Sequence, residues 1–212
     1  MADCRAMRIG VDFDGVMISV DRLIHRLALE AAVITDDVPP QAAAMRDHLA
    51  RAGQAARWDA LEDEAYGASH TQAPALPGVH DFFRRCRKRE VAITIVGQRP
   101  QQLGPDRPGE LWVKAHDWLA RQGFFNPYDI AFPRASVFFE ATVDEQAERV
   151  RALGCTHFIS ERAVVLEHPA LSREVRKLLY EPQPGDAVVS RTTTRARGWN
   201  HISEFFLAPG TR

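Results

Sequence analysis

Two aspartates stand two residues apart in RIGVDFDGV (8–16), at the end of a short apolar run. Along a strand, side chains at i and i+2 share a face, so Asp12 and Asp14 project to the same side while the strand continues. Gly15 then allows the backbone to turn sharply. Two carboxylates held about 4 Å apart repel by roughly 4 kcal/mol at an effective dielectric near 20. Such a pair requires a proton or a cation, and a divalent metal is the simplest remedy.

Other groups offer weaker chemistry. Cys4, Cys86 and Cys155 are odd in number, widely spaced and without CxxC or Cys/His ligand spacing, so they read as reduced thiols, two of them packed. His80–Asp81 and His116–Asp117 are adjacent pairs, and adjacent helical positions do not converge on one ion. The run RRCRKR (84–89) lies on an expected helix and is followed by Glu90, which reads as a solvated helix face.

The elements that must position the acids follow from the pattern of apolar runs. Brief apolar segments at 7–12, 91–96, 136–140, 156–160 and 176–181 alternate with helical stretches starting at Gly78, Pro108 and Asp144. This is the pattern of an α/β fold, a Rossmann-like parallel sheet covered on both faces. Between residues 16 and 76 come three further helical stretches, DRLIHRLALEAAVI, PQAAAMRDHLARAG and ARWDALEDEAYG. That is too much for one crossover, so the expectation is a helical cap at 16–76 inserted in an α/β core of 1–15 and 77–212. Ligands of open α/β sheets bind beyond the carboxyl ends of the strands, where such a cap would close. Residues 181–200, rich in Pro, Gly, Thr and Arg, read as a mobile loop before a last helix, HISEFFL.

The whole-chain properties limit the partners. With 212 residues, 45% hydrophobic and 26% charged, and a net charge of −1, the chain suits one domain with an insertion and provides no field for nucleic acid. No run approaches a membrane span, and MADCRAMRIG lacks the apolar core of a signal peptide, so a cytoplasmic protein is expected.

The sequence resembles the haloacid dehalogenase (HAD) superfamily, specifically HAD-like hydrolases with a small cap. The resemblance is carried by DFDGV after the first strand, and by EDEAYGASHTQAPALPGVHDFF, LWVKAHDWLARQGFF, SVFFEATVDEQAERVRALGCTHFI and WNHISEFF in matching order and spacing. It implies that Asp12 is a nucleophile forming an aspartyl phosphate and Asp14 a general acid/base, with Mg²⁺ held by Asp12, Asp14 and Glu161. The implied substrate is a small phosphorylated molecule. His25, Trp58, Glu62 and Tyr66 are the cap residues that are candidates to face it, and the sequence does not select among them.

Three motifs of the family are altered. The second ends a strand in Ser or Thr, and here the position is Gly97, with Gln98 or Arg99 as substitute phosphate ligands. The third is a Lys, and here it is Gln146, with Lys114 or Arg149 as alternative cations. The fourth is a pair of acids, and here it is Ser160 and Glu161. All of these changes point at one phosphate and one metal, so the site is either rebuilt or retired. The leading expectation is a phosphatase-type hydrolase with reduced or redirected activity. Its rivals are a noncatalytic binding or regulatory protein and a HAD scaffold carrying a different reaction.

Overall fold

The computed structural model describes residues 6–99, 110–171, 173–183, 185 and 187–207. Six strands form one wholly parallel sheet: β1 (Arg8–Val11), β2 (Ala92–Gln98), β3 (Val137–Glu140), β4 (His157–Ser160), β5 (Arg176–Tyr180) and β6 (Thr194–Ala196). Their order is β3-β2-β1-β4-β5-β6. The fold is therefore the α/β Rossmann-like class expected from the sequence.

The order reverses direction between β1 and β4, which makes that seam the switch point where the ends of crossing connections diverge. β1 pairs Val11 with Ile95 of β2 on one side and with Ile159 of β4 on the other. Asp12 N–H continues the ladder to Ile159 O at 2.8 Å. The register thus fixes the first acid at the carboxyl edge of the sheet.

Two compact units emerge from the packing. The first holds the sheet with α4 (Val79–Lys88), α6 (Val143–Ala152), α7 (Ala163–Leu166) and α8 (Trp199–Leu207). Its core includes Val96, Val150, Phe158, Leu166 and Leu179, all essentially removed from water. Helix α6 is started by a capping box: Thr142 Oγ1 accepts from Glu145 N–H, and Glu145 Oε2 accepts from Thr142 N–H. In α8, Trp199 Nε1–H donates to Val16 O at 2.8 Å, which ties the last helix to the turn after β1.

The second unit comprises Ile18–Ala75 together with α5 (Glu110–Arg121). It contains α1 (Val20–Glu30), α2 (Ala42–Arg51), α3 (Ala56–Tyr66) and a 3₁₀ turn at His70–Gln72. The sequence predicts all of 77–212 in the α/β core, but α5 groups with the helices of 18–75 instead. The physical reason is its buried face, Leu111, Ala115, Trp118 and Leu119, and the bond from Trp118 Nε1–H to Ala73 O at 2.8 Å.

Residues 181–200 also differ from the expected loop. Glu181 N–H donates to Ala196 O at 2.8 Å, and residues 194–196 pair with β5 as a sixth strand. Glu167 accepts from Ser190 N–H and Thr193 Oγ1–H, which anchors the approach to it. The strand is three residues long and only Ala196 is buried, so it carries no apolar alternation. No helix among the described residues is long and apolar enough to cross a membrane.

Candidate functional site

The acids leave the sheet at the carboxyl end of β1. Gly15 follows them with φ +67°, and a Cβ there would fall 1.8 Å from Glu161 Cδ. Glycine is therefore required twice, for the left-handed backbone and for the close approach of the Glu161 carboxylate over the turn. The structure brings together Asp12, Asp14, Gly97, Gln98, Arg99, Ser160, Glu161 and Arg162, all within the α/β unit.

Asp12 is 3% exposed. Its Oδ1 accepts from Phe13 N–H at 2.8 Å and its Oδ2 from Ser160 Oγ–H at 2.6 Å. Ser160 Oγ in turn accepts from Arg162 N–H at 3.0 Å. Burial pushes the Asp12 carboxyl up to about 6, against the opposing pull of the Ser160 and Phe13 hydrogen bonds. The first acid is thus held from within the chain.

Asp14 meets a cation of the chain itself. Arg99 Nε–H donates to Asp14 Oδ2 at 2.7 Å and Arg99 Nη2–H to Asp14 Oδ1 at 2.5 Å, a bidentate fork. Arg99 is 2% exposed and Asp14 27%. The guanidinium carbon lies 4.8 Å from the centroid of the Phe13 ring and 5.9 Å from that of Phe139, two rings packed edge to face at 5.3 Å. Arg99 N–H also donates to Glu140 O at 2.8 Å, which fixes its backbone to the end of β3.

The same rings account for Gly97. A Cβ at this position would stand 2.9 Å from Phe13 Cβ and 3.0 Å from the Phe139 ring. Any larger residue, serine and threonine included, would push into the aromatic pair that flanks the guanidinium. Gln98 bridges outward, donating from Nε2 to Ala141 O at 2.8 Å and accepting from Arg162 Nη1–H at 2.5 Å.

Gln146 is fully buried, and its Nε2–H donates to Val96 O at 2.8 Å, while its Oε1 has no hydrogen-bond partner among the described residues. It is thereby tied to the β2 backbone. Arg149 pairs with Glu140 at 2.6 Å and lies over the Phe138 ring, and Lys114 pairs with Glu110 at 3.3 Å in the second unit. His25 Nε2 bonds Val38 O at 2.7 Å, and Glu62 pairs with Arg46, which lies over Trp58.

A magnesium ion needs a near-octahedral set of oxygens. The residues present do not fit one as arranged: both Asp14 oxygens are taken by the Arg99 fork, and both Asp12 oxygens accept hydrogen bonds. Among the described residues no group of three or more His, Cys, Asp or Glu could hold a metal ion. What the arrangement does is pair Asp14 with a cation of the chain and hydrogen-bond both oxygens of Asp12.

Sequence reasoning missed Arg162 and the partnership of Arg99 with Asp14, which are 85 positions apart. The available signal was the coincidence of a glycine at 97 with an arginine two residues later. The RRCRKR run, expected to be merely solvated, instead fastens loops: Arg84 forks Asp129, Arg87 donates to Pro127 O and Asp129 O, and Arg89 donates to Leu207 O. Cys86 and Cys155 are buried free thiols, and Cys4 lies outside the described residues.

No family model matches this sequence, and no curated protein does. Solved structures do match in fold. The HAD-hydrolase YfnB from Bacillus subtilis bound to magnesium superposes with a TM-score of 0.59 at 14% identity, covering 96% of this chain and 99% of that one. A dehalogenase with an intermediate complex gives 0.58 at 12%, covering 97% and 98%. A HAD family hydrolase from Deinococcus radiodurans with bound phosphate and sodium gives 0.57 at 14%, covering 96% of each. At these identities the likeness is one of fold, and the fold is HAD-like.

Proposed function

We propose that this HAD-like chain is a noncatalytic binding or regulatory protein in which magnesium-dependent phosphoryl transfer has been given up. One observation carries the reading: the two acids of DFDG are engaged by the chain itself, Asp14 neutralised by the Arg99 fork and Asp12 hydrogen-bonded on both oxygens by Phe13 N–H and Ser160 Oγ–H. A carboxylate that must attack phosphorus needs a free oxygen and a charge-neutralising ion at its side. The expected phosphatase assignment used Asp12 as nucleophile, Asp14 as acid/base and Glu161 as the third metal ligand. The geometry favours the rival reading because Arg99 supplies the positive charge instead.

The ligand class proposed is a small phosphorylated molecule at the carboxyl end of the sheet. Its support is the D. radiodurans neighbour, which holds phosphate. The decisive experiment is phosphate release from a broad panel of phosphomonoesters with and without Mg²⁺. Wild type and Asp12→Asn are expected to give the same background rate in both conditions. Mg²⁺-dependent turnover that Asp12→Asn abolishes would overturn the proposal.

A second reading has one observation in its favour. With its carboxyl at about 6, Asp12 is mostly ionised at neutral pH and remains a nucleophile for a reaction without metal. Turnover that is lost in Asp12→Asn and is indifferent to chelator would identify it.

A further inference from the structure

The helical unit carries a cleft of about 350 Å³ between the loop that follows α1 and one face of α2. Asp37, Val38 and Pro39 line one side, and Ala44, Asp47, His48 and Arg51 the other. The helical side follows from spacing, since 44, 47, 48 and 51 share one face of α2 while Met45 and Leu49 are its buried residues. The loop side is held in place. His25 Nε2–H donates to Val38 O at 2.7 Å, Val38 N–H to Thr35 O at 3.0 Å and Gln41 N–H to Pro39 O at 2.9 Å. A wall fixed before binding spares a ligand the entropy of ordering it.

The charges of this cleft are unequal in number and open. Two carboxylates accompany one guanidinium and one imidazole. Thr35 Oγ1–H donates to Asp37 Oδ1 at 2.5 Å and holds that carboxyl below its ordinary value. Arg51 Nε–H donates to Asp47 O at 3.1 Å, which steadies the guanidinium by its inner nitrogen and leaves Nη1 and Nη2 without a bond among the described residues. The Asp47 carboxylate likewise has no hydrogen bond or ion pair among the described residues, although Arg51 stands one helical turn away. Val38, Pro39 and Ala44 add apolar surface.

We propose that this cleft binds a basic amino acid, with Arg51 taking its carboxylate, Asp37 and Asp47 its two cationic groups, and Val38, Pro39 and Ala44 its methylene stem. One carboxylate and two cations are the complement of the lining charges. The volume lies in the range of about 300–1,000 Å³ that holds small molecules. The site belongs wholly to the helical unit, so it goes beyond the noncatalytic reading and does not depend on it.

The test is titration calorimetry of the full chain with L-lysine, with L-norleucine, which lacks the side-chain ammonium, and with cadaverine, which lacks the carboxylate. Wild type is expected to bind lysine saturably and the other two at least about tenfold more weakly, because each lacks one charge-assisted contact. Arg51→Gln is expected to weaken lysine about tenfold and to leave cadaverine unchanged, whereas Asp47→Asn is expected to weaken both. Far-UV circular dichroism reports whether each variant is folded, and Asp37→Asn replaces Asp47→Asn if the latter is not. L-ornithine and L-arginine, titrated in the same way, fix the length of the stem. The absence of saturable binding of all three basic amino acids to wild type would overturn the proposal, as would lysine binding no tighter than that of norleucine or equal in wild type and the folded variants. Failure of the noncatalytic reading looks different, because it requires Mg²⁺-dependent turnover by the wild-type chain and leaves these titrations unaltered.

Discussion

Among the described residues of the α/β unit, two arginine–aspartate forks are built from the same four atoms. Arg99 holds Asp14 at 2.7 and 2.5 Å, and Arg84 holds Asp129 at 2.6 and 2.8 Å. The bonds are equivalent, but the surroundings are not: Arg99 is 2% exposed and Arg84 41%. Arg84 also shares itself with Asp81 at 3.0 Å. Water competes for every donor of the exposed fork, so it fastens a loop cheaply and is cheaply lost. In the buried fork water cannot take the place of Asp14 beside Arg99, although Asp14 itself is 27% exposed, so it is the guanidinium that depends on its carboxylate. Geometry alone does not distinguish a fastener from a lock; the solvent does.

The strongest way to break that contrast is to remove one member of the buried fork. Asp14→Ala takes the bidentate carboxylate away from a guanidinium that is 2% exposed and is expected to lower stability by about 3–5 kcal/mol in urea unfolding. A loss below about 1 kcal/mol would place Arg99 in the same class as Arg84.

Acidity sharpens the comparison next. The Asp12 carboxyl stands at about 6 in the folded chain, above its ordinary 3.8, because burial disfavours its charge. As pH falls from above 6 toward 3.8 the folded state takes up this proton before the unfolded state does, so the Asp12 contribution to stability rises by up to about 3 kcal/mol. His157 works against it: burial pulls its imidazole down to about 4 from 6.5, so its contribution is lost as pH falls through 6.5. The two oppose each other between pH 4 and 6. His157→Gln is expected to uncover a chain that grows more stable on acidification from pH 7 to 5, and adding Asp12→Asn is expected to flatten that slope. A flat slope in His157→Gln alone would remove the burial penalty on Asp12.

Restoring a hydroxyl at position 97 tests the flank of the lock. Gly97→Ser is expected to cost about 1–3 kcal/mol through overpacking against Phe13 and Phe139, and Phe139→Leu in the same chain is expected to recover part of it. Additivity of the two changes would separate Gly97 from the rings. The smallest effect belongs to the exposed fork: Asp129→Asn is expected to shift Tm least of all, and the shift to vanish in about 1 M salt.

Much of the architecture could be read from the chain. β1 to β5 are apolar runs with turn signals at their ends, and a strand buried on both faces leaves that trace. β6 leaves none, because Thr194 and Arg195 are not buried and only Ala196 is. The amphipathic pattern of α5 was visible, but an apolar face states that a helix must pack and not against what, so its unit was missed. At the site, Asp12, Asp14 and the departures at Gly97, Gln146, Ser160 and Glu161 were legible as residue types. Their cause was not, because the charge that answers Asp14 comes from 85 positions away and the obstacle at Gly97 is a ring at 139.

The discontinuity of the helical unit has a practical meaning for chimeras. Trp118 is wholly buried, and its indole N–H is satisfied by Ala73 O, so the piece around α5 and the piece from Ile18 to Ala75 complete each other. A graft that exchanges only the contiguous stretch would bring in a foreign surface for Trp118 and orphan its donor. Modules of this protein therefore have to be traded as two excerpts of chain at once, and single-crossover recombination is barred from doing so.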